Sequence, residues 1–134
     1  MALLCASLLN CGTTRLRTIA NIEEVDRLLE VMEALGVSVE RKENGDLCLT
    51  PPKICTLDGL GHHAFKRIRS GLMLIPGIAL RHASFKIPAP GGCKMGKRTT
   101  IAHVRGLSQL GIVLAPQSDH FTVCLLYTSP SPRD

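Results

Sequence analysis

Nine consecutive residues, Pro90-Gly91-Gly92-Cys93-Lys94-Met95-Gly96-Lys97-Arg98, put a thiol inside a glycine-rich loop beside three cationic side chains. Glycines at 91, 92 and 96 allow backbone conformations closed to other residues and let the chain approach a ligand closely. Lys94, Lys97 and Arg98 bring positive charge, and the arginine is able to grip a phosphate or carboxylate with two parallel hydrogen bonds. The same cations favour thiolate over thiol, which makes Cys93 the cysteine of this chain best suited to react. The pattern suits anion chemistry. By itself it also fits an ordinary surface thiol, and it names no enzyme.

A loop of this kind needs a scaffold, and the composition bounds what that scaffold is. The 134 residues suffice for one domain with a core, not for two comfortable ones. Aromatic residues make up 3% of the chain and tryptophan is absent, so the core is aliphatic and platforms for stacking bases are largely missing. The net charge of +5 suits an acidic metabolite and a nucleic-acid backbone equally. Its distribution is more telling: cations concentrate between Lys66 and Arg105, around the loop, while acids gather between Glu23 and Glu43. The six cysteines form no Cys-x-x-Cys pair and no matched histidine spacing, which argues against structural zinc. Residues 2–9 are too short an apolar run to span a membrane and lack a basic segment before them, so a reducing cytoplasm is expected.

The elements follow from periodicity. Residues 2–9 read as a buried helix with no capping residue, as though the chain were cut inside an element. Residues 13–19 alternate as a half-buried strand, with Leu16 and Thr18 on one face and Arg15 and Arg17 on the other. Asn21 and Glu24 have capping-box spacing, and Ile22, Val25, Leu28, Leu29, Met32 and Leu35 form one helical stripe that Gly36 closes. Residues 37–41 and 46–50 predict a hairpin around Asn44-Gly45, stopped by Pro51-Pro52. A longer helical pattern runs from His63 to Arg81, with Gly71 and Pro76 predicting a kink or break. Residues 83–87 form a strand leading into the loop. A helix from Thr100 is capped by Gly111, with strands at 112–114 and 121–123. Leucine followed by glycine precedes a strand at both 35–36 and 110–111, so an internal repeat of strand, helix, strand, strand is expected, in an α/β domain. Residues 124–134 change composition abruptly and are expected to be an adapter-derived or disordered tail.

In that order, the residues resemble the UDP-N-acetylglucosamine enolpyruvyl (1-carboxyvinyl) transferases, relatives of the shikimate-pathway enolpyruvyl transferase. The resemblance covers residues 1–123. It rests on Asn21-Ile22-Glu23-Glu24-Val25-Asp26, on Arg69-Ser70, and above all on Pro90-Gly91-Gly92-Cys93 with Gly96 and Arg98, followed by His103 and Gly106-Leu107 with Leu110-Gly111. It implies part of an inside-out α/β barrel built of repeated β-α-β-α-β-β units, with helices inside and sheets outside, and a second domain of the same chain across a cleft. The implied reaction moves enolpyruvyl from phosphoenolpyruvate to the 3′-hydroxyl of UDP-N-acetylglucosamine and releases phosphate, the first committed step of peptidoglycan synthesis. No metal or organic cofactor is implied, nor any nucleic-acid or membrane partner. Cys93 is implied as the catalytic acid and nucleophile, Arg98 and Arg69 as substrate-binding residues, and Gly91, Gly92, Gly96 and His103 as loop support.

Two departures from the family pattern bear on substrate and activity. Ile101 stands where the family carries an aspartate that contacts the nucleotide, so that contact is not carried over. The family's Gly-x-Lys-Asn motif, catalytic aspartate and further arginine have no counterparts here, so the isolated 134-residue chain is expected to be inactive. The competing reading without the resemblance is a non-catalytic basic module for anions or nucleic acid. Cys5, Cys11, Cys48 and Cys55 read most simply as small core or surface residues, and His62-His63 as loop residues rather than a metal pair.

Overall fold

The computed structural model describes residues 1–61, 63–68, 70–89 and 100–126. Two copies of one topology organise them. The first runs β1 (Thr14–Leu16), α2 (Glu23–Ala34), β2 (Ser38–Arg41), β3 (Leu47–Thr50), after a short helix α1 (Ala2–Ala6). The second runs β4 (Ser84–Pro88), α5 (Ile101–Gln109), β5 (Ile112–Pro116), β6 (His120–Leu125). In each copy the last strand inserts between the other two, giving antiparallel sheets of order β1-β3-β2 and β4-β6-β5. The expected repeat is therefore present as a repeat of topology, within a mixed α/β chain.

Local chemistry explains both copies. α2 ends in a full Schellman motif: Val37 N donates to Met32 O at 3.0 Å and Gly36 N to Glu33 O at 2.9 Å, with Gly36 at φ +95°. α5 also ends on a glycine of positive φ, with Gly111 at φ +78° and its N–H on Ser108 O at 3.0 Å. The β2–β3 hairpin closes through Lys42 N on Asp46 O at 2.8 Å, with Gly45 at φ +82°. In β4, Phe85 and Ile87 are buried while Ser84 and Lys86 are exposed, the period of two that a one-sided sheet requires. Their register partners Val123 and Phe121 complete that inner face.

The core is aliphatic apart from a few phenylalanines. Leu8, Leu28, Met32, Leu49, Ile75 and Ile87 are wholly enclosed, and so is Phe65. Between the two copies, α3 (His63–Arg67), a 3₁₀ turn (Ser70–Leu74) and α4 (Ile75–Ala79) replace the single long helix with a break. Gly71 packs against the tip of the Phe65 ring so closely that a Cβ there would sit 2.8 Å from Cζ. Pro76 lies in the first turn of α4, where its missing N–H costs nothing. Arg81 then ties the segment down, donating to Pro52 O (3.0 Å), Gly77 O (2.9 Å), Asn10 O (3.0 Å) and Leu8 O.

Four expectations need correction. The capping box does not form: Ile22 is the N-cap, in extended conformation and half-exposed, so Asn21 lies one residue too early to reach the first turn. Glu24 instead accepts a hydrogen bond from Ser70 Oγ at 3.3 Å. The first strand stops at Leu16, and Thr18 takes φ +52°, a conformation that no strand residue adopts. Residues 2–9 form one helical turn and a 3₁₀ turn (Ser7–Leu9), burying Leu4, Cys5, Ser7 and Leu8 but exposing Leu3 and Leu9. Finally, β6 runs through Cys124 and Leu125, past the boundary expected at 123, because Leu125 N donates to Ala83 O at 2.8 Å and Cys124 pairs with both Ser84 and Val113.

Candidate functional site

Of the residues singled out for chemistry, Cys93, Arg98, Arg69, Gly91, Gly92 and Gly96 lie outside the described residues. What the structure does define is the frame on either side of them. The loop departs from β4, whose last residue Pro88 pairs with His120, and Ala89 N donates to Asp119 O at 2.9 Å. It returns at Thr100, the N-cap of α5, whose carbonyl accepts from Val104 N at 3.0 Å. The loop is thus carried between a sheet strand and a helix start, both fixed by backbone hydrogen bonds.

The chain on either side of Arg69 is held as firmly. Ile68 is buried at 2% exposure and Ser70 at 8%. Ser70 Oγ donates to Glu24 at the start of α2, and Ser70 O receives the Cys5 thiol at 3.8 Å. Glu24 therefore does in three dimensions what its sequence spacing did not suggest: it anchors the turn after Arg69 rather than capping its own helix.

His103 sits half-buried in the first turn of α5, and its ring makes no hydrogen bond to another described residue. Ile101, at the family's aspartate position, begins the helix and is exposed. Among the described cations of the segment from Lys66 to Arg105, Lys66 and Arg67 end α3, Lys86 lies on β4 and Arg105 on α5, all exposed. Two ionisable residues that the sequence did not single out lie directly beside the loop root, Asp119 in the β5–β6 turn and His120 as the first residue of β6. His120 Nδ1 and Asp119 Oδ1 are 2.6 Å apart. The hydrogen bond from His120, then the charge of its ring and that of Lys66, hold the Asp119 carboxyl below the usual aspartate range. Nothing in a Gln-Ser-Asp-His turn distinguishes such a pair from a solvated loop.

Two of the described thiols, Cys5 and Cys55, are buried and poorly suited to reaction. Burial pushes Cys5 up to about 11 and raises Cys55 as well, against a small opposing effect of Arg81 on the latter.

With this frame in place, comparison with known proteins is informative. A sequence profile of the family described as EPSP synthase (3-phosphoshikimate 1-carboxyvinyltransferase) matches residues 1–125, nearly the whole chain. The chain belongs to that family. Among curated relatives of this family member, the UDP-N-acetylglucosamine 1-carboxyvinyltransferase of Synechococcus sp. (strain CC9605) is 30% identical over 114 residues, covering 85% of this chain and 26% of the relative. The protein of the same name from Gloeobacter violaceus is 30% identical over 111 residues, covering 83% of this chain and 24% of its own length. The chain thus spans about a quarter of the length of these relatives. In structure, the enolpyruvyl transferase NikO from Streptomyces tendae aligns with a TM-score of 0.66 over 96% of this chain and 28% of that one, at 16% identity. That likeness establishes the fold: part of an enolpyruvyl transferase architecture.

Proposed function

We propose that this family member supplies the cysteine-loop region of an enzyme that transfers enolpyruvyl from phosphoenolpyruvate to the 3′-hydroxyl of UDP-N-acetylglucosamine, releasing phosphate. The observation that carries the reading is the Pro90–Arg98 sequence, lying in the connection between β4 and α5 of a chain whose matched relatives bear that enzyme's name. The step would open peptidoglycan synthesis, and with it serve cell shape and division. Both substrates are cytoplasmic metabolites, so the enzyme works in the cytoplasm.

In this reading Cys93 delivers the proton that the enolpyruvyl methylene gains as the sugar oxygen adds to its neighbouring carbon. A carbon–oxygen bond forms as the sugar hydroxyl gives its proton to a base outside these residues, the methylene becomes a methyl group, and the subsequent loss of a methyl proton and of phosphate restores the alkene. Arg98 and Arg69 hold the negative charge of phosphoenolpyruvate and the nucleotide in a closing cleft, where fixed cations act more strongly than in water. Gly91, Gly92 and Gly96 let the loop close, and His103 supports it from the first turn of α5. A second domain supplies the opposite wall, so the 134-residue chain alone does not turn over.

Fosfomycin, a small anionic epoxide that mimics phosphoenolpyruvate, tests this. In the protein extended to the length of its relatives, Cys93 is alkylated ahead of every other thiol, and phosphate release requires both substrates. Labelling of Cys93 no faster than that of exposed Cys11, together with no phosphate release, refutes the reading.

A further inference from the structure

Beside the loop root lies a cavity of about 450 Å³ that the proposed reaction does not use, walled by the Leu57–Gly61 turn and α3 on one side and by β4 and the start of β6 on the other. Five ionisable side chains line it: Asp58, Lys66, Lys86, Asp119 and His120. They come from five separate elements or turns, so no single solvated helix face brings them together.

The charges are not equivalent. Asp119 is committed to His120, through the 2.6 Å contact at Nδ1, and this leaves Nε2 at the far end of the ring as the polar atom His120 has to offer. Neither Lys66 nor Lys86 makes a salt bridge among the described residues, although Lys66 acts on Asp119 from a distance. Asp58 is likewise unpaired. The cavity therefore presents two free ammonium groups, one oriented imidazole and one free carboxylate.

We propose that this cavity binds a monoprotonated phosphoryl group, with Lys66, Lys86 and His120 around its oxygens and the Asp58 carboxylate accepting its P–OH. The carboxylate is what narrows the ligand class. An anion without a proton meets repulsion at Asp58, whereas a phosphoryl group, whose second ionisation falls near pH 6 in monoesters, brings a donor with it. Sulfate carries the same shape without that proton. The volume exceeds what a free phosphate fills and lies within the range of small-metabolite sites, so the phosphoryl group belongs either to inorganic phosphate with water or to a small phosphate monoester. Next to the site is the Ala89–Asp119 hydrogen bond, immediately before Pro90, so the bound anion sits at the base of the loop.

The test is a backbone amide NMR titration of the 134-residue chain at pH 6.5 with inorganic phosphate, with sulfate and with phosphoenolpyruvate. Phosphate is expected to shift the Lys86, Ala89 and His120 amides saturably, with one common midpoint. Lys66 and Lys86 are exposed, so the Lys66→Ala/Lys86→Ala double variant keeps the fold, and it is expected to raise that midpoint at least tenfold. Sulfate is expected to bind at least tenfold more weakly than phosphate, and Asp58→Asn to erase the difference. A tighter midpoint for phosphoenolpyruvate than for phosphate assigns the site to a monoester, and equal midpoints assign it to the free ion. Equal binding of phosphate and sulfate by the unaltered chain, shifts that survive the double lysine variant, or shifts abolished by Arg98→Ala instead would each overturn the proposal. The Arg98→Ala arm also separates this cavity from the loop, since the loop reading fails or stands on Cys93 alkylation and phosphate release.

Discussion

Replacing Gly77 with alanine should be among the most damaging single-methyl changes in this protein. A Cβ on Gly77 would lie 2.4 Å from Leu8 Cβ, 3.3 Å from its Cδ1 and 3.4 Å from its carbonyl carbon. Carbon atoms in contact settle at about 3.5–4.0 Å, so the two segments must part by more than about 1 Å. Leu8 Cβ cannot rotate out of the way, because it moves only with its backbone. Parting the segments also strains Arg81, whose Nη1 donates both to Leu8 O and to Gly77 O, and it loosens a side chain that is fully enclosed. Overpacking of this kind costs about 1–3 kcal/mol, and the strained charged hydrogen bonds place this case at the upper end. Alanine recovers about 0.5–1 kcal/mol of helix preference over glycine, leaving a net loss of about 2 kcal/mol. Urea unfolding followed by far-ultraviolet circular dichroism reads this directly, and the midpoint temperature should fall by roughly 6–10 °C. Gly106→Ala is the matched control. It lies inside α5 with nothing within 4 Å of the added carbon, so the same substitution should stabilise by about 0.5–1 kcal/mol. A Gly77→Ala protein within 0.5 kcal/mol of the parent would show that the Leu8–Gly77 approach is not as close as described, and the reasoning would fail.

Arg81→Ala should cost about 3 kcal/mol in the same unfolding assay by stranding four carbonyl acceptors, and Arg81→Lys should recover less than half of it, since an ammonium cannot reproduce the guanidinium fork. Asp46, clamped by Arg15 Nε at 2.8 Å and by Asn44 Nδ2 at 3.1 Å, has its carboxyl held below the usual range, first by the Arg15 hydrogen bond. A depressed carboxyl contributes stability above its unfolded pKa of about 3.9 and loses it as pH falls through the lower folded value, so Asp46→Asn should flatten the acid limb of stability below pH 4 while Arg15→Ala does the same. Iodoacetamide at pH 8, read by peptide mass spectrometry, should label exposed Cys11 well ahead of buried Cys5 and Cys55, because burial raises both of the latter thiols. Comparable rates at all three would contradict the packing.

What could be read from the sequence was whatever local chemistry decides. Gly36, Gly45 and Gly111 each take the positive φ that a helix cap or tight turn demands, and the leucine and valine stripe of α2 is buried as its spacing requires. What could not be read depends on partners distant in the chain. Asn21 and Glu24 have the right spacing for a capping box, but the chain enters α2 through an extended Ile22, and Ser70, 46 residues away, takes the glutamate. Arg81 looks like one more surface cation until its acceptors, up to 73 residues distant, are known. Residues 124 and 125 look like tail by composition, yet two neighbouring strands offer them backbone hydrogen bonds, and pairing outweighs composition. The candidate site divides the same way. Cys93 and Arg98 are legible as a motif because their chemistry lies within nine residues, whereas Asp58, Lys66, Lys86, Asp119 and His120 become a group only when the fold assembles them.

The topological repeat shows which connection carries the Pro90–Arg98 sequence. In the first copy, strand β1 reaches helix α2 through six residues, 17–22, and so short a connection forces Thr18 into the left-handed region at a cost of order 1 kcal/mol. In the second copy, β4 reaches α5 through twelve residues, 89–100, and these contain the thiol, all three loop glycines and the three cations. Strand order is the same on both sides of the comparison and both helices end on a glycine of positive φ, so the largest difference between the copies is the length of this one connection. Lengthening a flexible connection costs little, about 0.6 kcal/mol for each doubling, because the closure entropy grows only with the logarithm of length. The scaffold can therefore carry the longer loop with its ends fixed at Ala89 and Thr100 and its core unchanged. The motif proposed for chemistry thus falls in the connection that departs most in length from its repeat partner, while the strands on either side keep the order of their counterparts.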